Sequence, residues 1–270
     1  MPNRLQDKVA IVTGSSSGIG RAICLLYARE GAKVTCADLT PSARQDIAEE
    51  GEAETHALIQ KEGGHAIFVK TDVGEASEME ALVQAATKEF GRVDILVNNA
   101  GVALEARRPL TPCHETDEEV WDITMRVNAK SCFLGSKFAI RQMLAQEPHS
   151  SGDRGWIINM ASVMGIVASN ASPSYCASKG AVLSLTRQVA LDYAGSKIHV
   201  NAICPGYVQT AIYSDLRAIG ATEEDMQQKH PFNGPGKPSD IAKMAVVLAS
   251  DDASWVTGVS WPVDGGYTAR

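Results

Sequence analysis

Short runs of apolar and β-branched residues alternate along the chain with longer segments whose apolar residues recur at helical spacing. The short runs predict strands over residues 8–12, 33–37, 66–70, 93–97, 156–160, 199–203 and 259–263. The longer segments predict helices over residues 21–30, 42–61, 76–90, 118–146, 175–194 and 239–249. Near-continuous apolar strands that alternate with helices are typical of parallel strands buried on both faces. We therefore expect an α/β fold with one doubly wound parallel sheet of about seven strands and helices on both sides.

The domain organisation follows from what separates these elements. No linker rich in proline, serine and glycine divides the 270 residues, and no repeat appears, so residues 1–270 are predicted to form a single domain. Residues 40–64 and 146–155 are interpreted as peripheral and loop-like. Residues 206–238 are rich in proline and glycine and poor in apolar positions. Mobile covers over binding sites are built this way, so this segment is predicted to cover a substrate.

Composition excludes several classes of protein. Lys and Arg number 25 against 32 Asp and Glu, a net charge of −7 that argues against nucleic acid as a partner. No apolar run reaches the ~18 residues of a membrane helix, and the first residues show no cleavage pattern. Six cysteines lie far apart without a C-x-x-C pair. We expect reduced thiols in a cytoplasmic protein, with no metal, no disulfide and no membrane partner.

A glycine-rich turn joins the first predicted strand to the first predicted helix. Its sequence, Thr-Gly-Ser-Ser-Ser-Gly-Ile-Gly, places glycines at positions 14, 18 and 20. Glycines allow a sharp turn there and let a pyrophosphate approach the helix N-terminus, where free N–H groups favour anions. The spacing differs from the commoner G-x-G-x-x-G fingerprint, and a plain structural loop is the alternative.

Asp38 ends the second predicted strand, 18 residues after Gly20. A carboxylate at this place can accept hydrogen bonds from the adenosine ribose hydroxyls of a dinucleotide. It also repels a 2′-phosphate, and no basic residue adjoins it, so NAD is predicted rather than NADP. The alternative is that Asp38 only caps the turn into the next segment.

Tyr175 and Lys179 lie four residues apart in a predicted helix and therefore on one face of it. A phenol is poorly suited to proton transfer at neutral pH, but a nearby ammonium favours the phenolate and makes tyrosine a usable acid/base. Such a pair occurs by chance in many helices. Ser162, 13 residues before Tyr175 and at the end of a predicted strand, strengthens the hypothesis of a catalytic group.

Together these motifs resemble the short-chain dehydrogenases/reductases in their single-domain, Tyr-x-x-x-Lys form. The resemblance covers nearly the whole chain and implies a Rossmann-like fold. Its landmarks are Thr13-Gly14-x-x-x-Gly18-Ile19-Gly20, Asp38, Asp72-Val73, Asn98-Asn99-Ala100-Gly101, Asn128, Ser162, Tyr175-x-x-x-Lys179, and Pro205-Gly206 with Thr210.

The resemblance implies a role for each catalytic residue. Tyr175 would be the acid/base, and Ser162 would hold and polarise the reacting oxygen. Lys179 would bind the nicotinamide ribose and favour the phenolate, while Asn128 would hold a water in a proton relay. The implied reaction interconverts a secondary alcohol and a ketone with NAD(H). Alternatives are imine reduction, redox-assisted isomerisation and a non-catalytic cofactor-binding scaffold.

The resemblance also implies the cofactor site. Asp72 and Val73 would meet the adenine, Asn99 the adenosine ribose, and Val208 with Thr210 the carboxamide. The predicted set is Gly14, Ser16, Gly18, Ile19, Gly20, Asp38, Asp72, Val73, Asn99, Ala100, Gly101, Tyr175, Lys179, Pro205, Gly206, Val208 and Thr210.

Several of these positions have simpler interpretations. Asn128 in mid-helix could be solvent-facing or bonded to backbone, and residues 98–101 could be an ordinary turn. Asp72 could be the N-cap of a helix that begins near Glu75. No motif identifies the substrate. Whether Arg107, Arg108 or His230 touches it stays open, and the arginines could be plain surface charge.

Assembly is the last expectation. Apolar residues of the two longest predicted helices exceed what one face against a sheet requires, which is typical of a subunit contact. These positions are Trp121, Phe133, Phe138, Met143, Leu183, Leu185, Val189 and Leu191. The family resemblance implies a homotetramer, and a dimer is the alternative.

Overall fold

A computed structural model describes residues 3–42 and 53–269. Seven parallel strands form one sheet in the order β3-β2-β1-β4-β5-β6-β7. The strands are β1 Val9–Thr13, β2 Lys33–Asp38, β3 Ala66–Lys70, β4 Ile95–Asn98, β5 Gly155–Met160, β6 Ile198–Pro205 and β7 Ser260–Val263. Both ends of each strand lie within two residues of the predicted bounds. The predicted α/β fold is confirmed.

Helices cover both faces of the sheet. They are α1 Gly18–Arg29, α2 Thr55–Lys61, α3 Ala76–Phe90, α4 Glu118–Met125, α5 Ser131–Ala145, α6 Pro173–Tyr193, α7 Ala211–Ala218, α8 Glu223–Lys229 and α9 Pro238–Leu248. On one face, α1 and α9 pack with the sheet around buried residues such as Ile23, Trp156 and Ala245. On the other face, α3, α5 and α6 pack around Leu82, Phe138 and Val189.

Three segments differ from the sequence prediction. The helix predicted over residues 118–146 is interrupted by one π-helical turn, Arg126–Lys130, between α4 and α5. Of the helix predicted over residues 42–61, the described part holds only α2, and residues 43–52 lie outside the described residues. Residues 206–238, expected to be a loop, contain α7 and α8.

The helix surfaces also correct part of the argument for assembly. Phe138, Met143, Leu183 and Val189 are buried within the protomer, and Leu185 packs against its core. These side chains are therefore not surplus. Among the eight positions, Trp121, Phe133 and Leu191 are exposed.

The topology fixes where a ligand can bind. Strand β1 pairs with β2 on one side and with β4 on the other, so the chain changes direction across the sheet beside β1. In open α/β sheets a crevice forms at such a switch point, outside the carboxyl ends of the strands. Within the described ranges, no helix is long and apolar enough to cross a bilayer.

Candidate functional site

The glycine-rich turn between β1 and α1 requires glycine for two reasons. Gly14 and Gly18 have φ values of 66° and 55°, which side chains rarely adopt. At Gly20, inside the first turn of α1, a Cβ atom would overlap the carbonyl oxygen of Gly14. The turn therefore folds back tightly on its helix. Gly14, Gly18 and Ile19 line a large cavity, while Gly20 and Ser16 lie behind it.

The N-terminus of α1 opens onto this cavity. Ser17, its N-cap residue, is extended and makes no capping bond with its side chain, and the first turn holds no acidic residue. The first turn itself therefore places no negative charge against the positive end of the helix dipole. This arrangement fits the phosphates of a dinucleotide.

Asp38 ends β2 at the rim of the same cavity. Its Oδ2 accepts a hydrogen bond from the Ser16 N–H at 3.0 Å, and its Oδ1 accepts one from the Leu39 N–H at 2.8 Å. The carboxylate thus ties β2 to the glycine-rich turn. These backbone bonds agree with the alternative in which Asp38 caps the turn after β2. Asp38 also lines the cavity, so its negative charge faces a bound ligand.

The loop after β4 is fastened to the end of β1. The Thr13 hydroxyl accepts from the N–H groups of Asn99 and Ala100, both at 3.0 Å. The Asn99 amide donates back to the carbonyl oxygens of Thr13 at 2.9 Å and Gly14 at 3.2 Å. These bonds fix the turn that lines the cavity at residues 99–101, so it is more than an ordinary solvent-exposed turn.

Asp72 lies on the cavity wall next to Val73 but pairs with a residue that the sequence analysis missed. Its carboxylate accepts from Arg126 at 3.1–3.2 Å and from the Gly74 N–H at 2.9 Å. Burial disfavours the charged carboxyl, but these donors outweigh it and the pKa of Asp72 lies below its ordinary value. The N-cap alternative is wrong, because Glu75 occupies that position of α3.

The proposed catalytic side chains meet at the carboxyl ends of β4 and β5. Ser162, Tyr175 and Lys179 line the cavity together. The Lys179 ammonium lies 5.6 Å from the centroid of the Tyr175 ring and donates to the Met160 carbonyl at 2.8 Å. Lys179 is only 4% exposed, yet no carboxylate pairs with it in the described part of the chain. An ammonium has three donors, so two remain for ligand hydroxyls.

Asn128 lies behind the cavity, in the π-helical turn. Its side chain accepts from the Val102 N–H at 2.8 Å and donates to the Val102 carbonyl at 2.9 Å. A Cβ atom on Gly101 would lie 3.3 Å from the Asn128 Oδ1 and 3.5 Å from the Lys179 Nζ. The three residues are therefore neighbours. The Asn128 side chain is thus bonded to backbone, as one interpretation of the sequence held. These bonds hold its amide near the Lys179 ammonium.

The cavity has a volume of about 1020 Å³ and extends beneath residues 206–229. Pro205, Gly206, Val208 and Thr210, which the sequence predicts to bind the cofactor, line it. A Cβ atom on Gly18 would lie 3.3 Å from the Thr210 methyl, so the part of the cavity wall that follows β6 begins against the glycine-rich turn. We call residues 206–229, which include α7 and α8, the lid segment.

Two tyrosines outside the predicted catalytic and cofactor sets, Tyr207 and Tyr267, line the cavity. Tyr207, directly after Gly206, packs edge-on against Tyr267. Burial, together with the nearby phenols of Tyr267 and Tyr175, raises the pKa of Tyr207 to about 12. Tyr207 therefore stays protonated at neutral pH and can donate to a bound oxygen. No local motif marks either tyrosine, since each reaches the site through the fold.

The sequence left open whether Arg107, Arg108 or His230 touches the substrate, and the structure places the three residues differently. Arg107 lines the cavity and pairs with Asp215 at 2.7 Å. Arg108 pairs with Asp117 at 2.6 Å, away from the cavity. His230 is buried behind the wall, where its Nε2 accepts from the Tyr207 N–H at 2.9 Å. It holds the lid segment and does not line the cavity.

Comparisons with known proteins agree with this geometry. A family model described as "Enoyl-(Acyl carrier protein) reductase" matches residues 14–268. The 2-(S)-hydroxypropyl-CoM dehydrogenase 3 of Xanthobacter autotrophicus is 39% identical, with all of both chains covered. The NAD-dependent glycerol dehydrogenase of Listeria innocua is 36% identical, covering 98% of this chain and 96% of that one. The crystal structure of a putative short-chain alcohol dehydrogenase from Sinorhizobium meliloti 1021 is 35% identical, covers both chains completely and has a TM-score of 0.84.

Proposed function

Because the chain belongs to the short-chain dehydrogenase/reductase family, we propose that it is an NAD(H)-dependent oxidoreductase that interconverts a secondary alcohol and a ketone. The observation that carries the proposal is that Ser162, Tyr175 and Lys179 share one cavity with the glycine-rich turn and Asp38. Relatives named as dehydrogenases of alcohols support the reaction class. The substrate is a small molecule that fits the cavity beneath the lid segment.

The residues present fit a nicotinamide dinucleotide. The first turn of α1 faces the cavity and contains no acidic residue, and the buried Lys179 ammonium has two donors left for ribose hydroxyls. Bound there, the nicotinamide would accept or give the hydride. Asp72, Asn99 and Thr210, also predicted for the cofactor site, line the same cavity.

The side chains would then divide the proton chemistry among themselves. Tyr175 would take the hydroxyl proton of an alcohol or return it to a ketone oxygen. Ser162, on the cavity wall at the end of β5, would donate a hydrogen bond to that oxygen. Lys179 would stabilise the deprotonated phenol by its charge. Asn128, beside Lys179, would hold a water that continues the proton relay from Lys179 to solvent.

NAD is proposed over NADP because of Asp38. Its carboxylate faces the cavity where the adenosine ribose would lie, and a 2′-phosphate there would meet a negative charge. The name of the glycerol dehydrogenase relative points the same way. We place the activity in the cytoplasm, since all six cysteines are free thiols.

The proposal is tested by following nicotinamide absorbance with NAD and NADP across a panel of secondary alcohols and ketones. We expect turnover of at least one alcohol–ketone pair, with NAD preferred. Turnover only of imines would support the alternative of imine reduction. Tight NADH binding without turnover of any compound, together with normal folding, would instead support a cofactor-binding scaffold.

A further inference from the structure

A 3-10 helix at residues Leu104–Arg107 leaves the cavity loop and touches three parts of the site. We call this helix the brace. Its start is fixed by Val102, whose backbone N–H and carbonyl both bond to the side chain of Asn128. The brace is thus held at its first end by a residue of the proposed proton relay.

Glu105 connects the brace to the helix that carries Tyr175. Its carboxylate accepts from the Ser174 N–H at 2.9 Å and from the Tyr175 N–H at 3.1 Å. The N-cap residue of α6, Ser172, makes no capping bond with its side chain, and Pro173 has no N–H. The capping carboxylate therefore comes from a distant segment, and it binds the backbone of Tyr175 itself.

Arg107 connects the other end of the brace to the lid segment. Its Nε donates to the Oδ2 of Asp215 at 2.7 Å, and Asp215 belongs to α7. The Asp215 side chain is largely buried, whereas Arg107 is half exposed. Helix α7 begins directly after Thr210, which packs over the glycine-rich turn. One short helix therefore bonds to both the Tyr175 backbone and the lid.

We propose that the brace is a positioning device, in which Glu105 sets the place of the Tyr175 phenol and Arg107 ties that place to the lid segment. The inference rests on the proposed function. It adds two positioning residues, Glu105 and Arg107, that no sequence motif marks. The rate of proton transfer depends steeply on the distance between donor and acceptor. If the first turn of α6 shifts, the Tyr175 phenol moves away from the reacting oxygen, and kcat falls even though the phenol is intact.

The first test compares Glu105→Ala and Glu105→Gln with a matched control. Asp240→Ala removes a carboxylate that accepts the Lys237 N–H at 2.9 Å at the start of α9, and Asp240 does not line the cavity. We expect kcat to fall by about tenfold in Glu105→Ala and less in Glu105→Gln, whose amide oxygen still accepts a bond. NADH affinity should stay within about twofold in all three variants, and kcat should stay unchanged in the control.

A second measurement separates failure of the inference from failure of the proposed function. Hydrogen exchange at the Ser174 and Tyr175 amides needs no substrate, and it should speed up in Glu105→Ala but not in Asp240→Ala. If the unmodified protein turns over no substrate, the proposed function fails while exchange still tests the contact. Unchanged exchange, or a kcat in Glu105→Ala equal to that of the control, would overturn the inference.

The lid half of the proposal is tested by Arg107→Gln and Asp215→Asn. Both should raise the KM for substrate by about threefold to tenfold, and the double variant should do no more than Asp215→Asn alone, because that change already removes the charge that Arg107 binds. Arg108→Gln, which breaks the neighbouring pair with Asp117, should leave KM unchanged. If Asp215→Asn lowers KM while Arg107→Gln raises it, Arg107 binds the substrate directly and the tie to the lid is wrong.

Discussion

At the scale of single residues, the chemistry concentrates on one hydroxyl. Tyr175→Phe removes that hydroxyl and keeps the ring beside which the Lys179 ammonium lies. Because the proton would then have no carrier, we expect the rate to fall by about 10²–10⁴-fold. Cofactor affinity should be nearly unchanged, since the donors of Lys179 remain. Steady-state kinetics and fluorescence titration with NADH measure the two effects separately. A variant that keeps more than about a tenth of kcat would show that Tyr175 is not the acid/base.

Cofactor choice also belongs to one residue. Asp38 should make the kcat/KM for NAD at least about tenfold higher than that for NADP, roughly 1.4 kcal/mol. Asp38→Ser should narrow this gap by removing the charge that repels a 2′-phosphate. The variant also loses the bond to the Ser16 N–H, so its unfolding must be compared with that of the unmodified protein. Equal values for the two cofactors before mutation would contradict the assignment.

At this scale, the sequence predicts contacts between residues that are close along the chain and misses contacts between distant segments. Tyr175 and Lys179 are one helical turn apart, so spacing alone places them side by side. Glu105 bonds to the Tyr175 backbone across about 70 residues, and Arg126 reaches Asp72 across more than 50. Such contacts depend on how distant segments pack, which no local pattern contains. From the sequence alone, Arg107 could therefore be interpreted only as surface charge or as a substrate contact, and its bond to the lid segment could not be predicted.

At the scale of elements, buried strands were the most predictable part. Residues of β1 and β5 are buried along their whole length, so each strand appears in the sequence as a nearly continuous apolar run. The π-helical turn Arg126–Lys130 could not be predicted, because its flanking helices keep a helical spacing of apolar residues. Pi-helical turns frequently occur at functional sites, and this one contains Asn128.

The glycine-rich element gives a prediction about stability. Gly20→Ala should destabilise the fold by about 1–3 kcal/mol or more, because the new Cβ overlaps the Gly14 carbonyl and lies 2.6 Å from the Asn99 amide nitrogen. Gly180→Ala is the matched control. Gly180 also lies in a helix, but the nearest atom to its Cβ position is 4.0 Å away. That variant should be neutral or more stable by up to about 1 kcal/mol.

Urea unfolding followed by circular dichroism compares the two variants. The midpoint should fall for Gly20→Ala and hold or rise for Gly180→Ala. A Gly20→Ala protein with an unchanged midpoint would mean that the turn relaxes away from α1. In that case the close approach of the turn to its helix is not required for folding.

At the scale of the whole molecule, the remaining apolar surface bears on assembly. Phe133 on α5 is 51% exposed and Leu191 on α6 is 77% exposed, while their neighbours Phe138 and Leu183 are buried. Of the apolar residues from which the sequence predicted a subunit contact, only the exposed ones still support that prediction. Single exposed apolar residues are common on monomers, so the assembly needs a direct measurement.

We predict a homotetramer of roughly four times 28.8 kDa, with a dimer as the alternative. Light scattering at micromolar concentration measures the mass. Phe133→Asp places a charge on the predicted contact and should shift the protein toward smaller species, because a buried, unpaired carboxylate opposes association. Gln84→Asp introduces the same charge at an exposed position of α3, outside the predicted contact, and should leave the mass unchanged. A monodisperse monomer with full activity would contradict both the tetramer and the interpretation of these helix surfaces as a subunit contact.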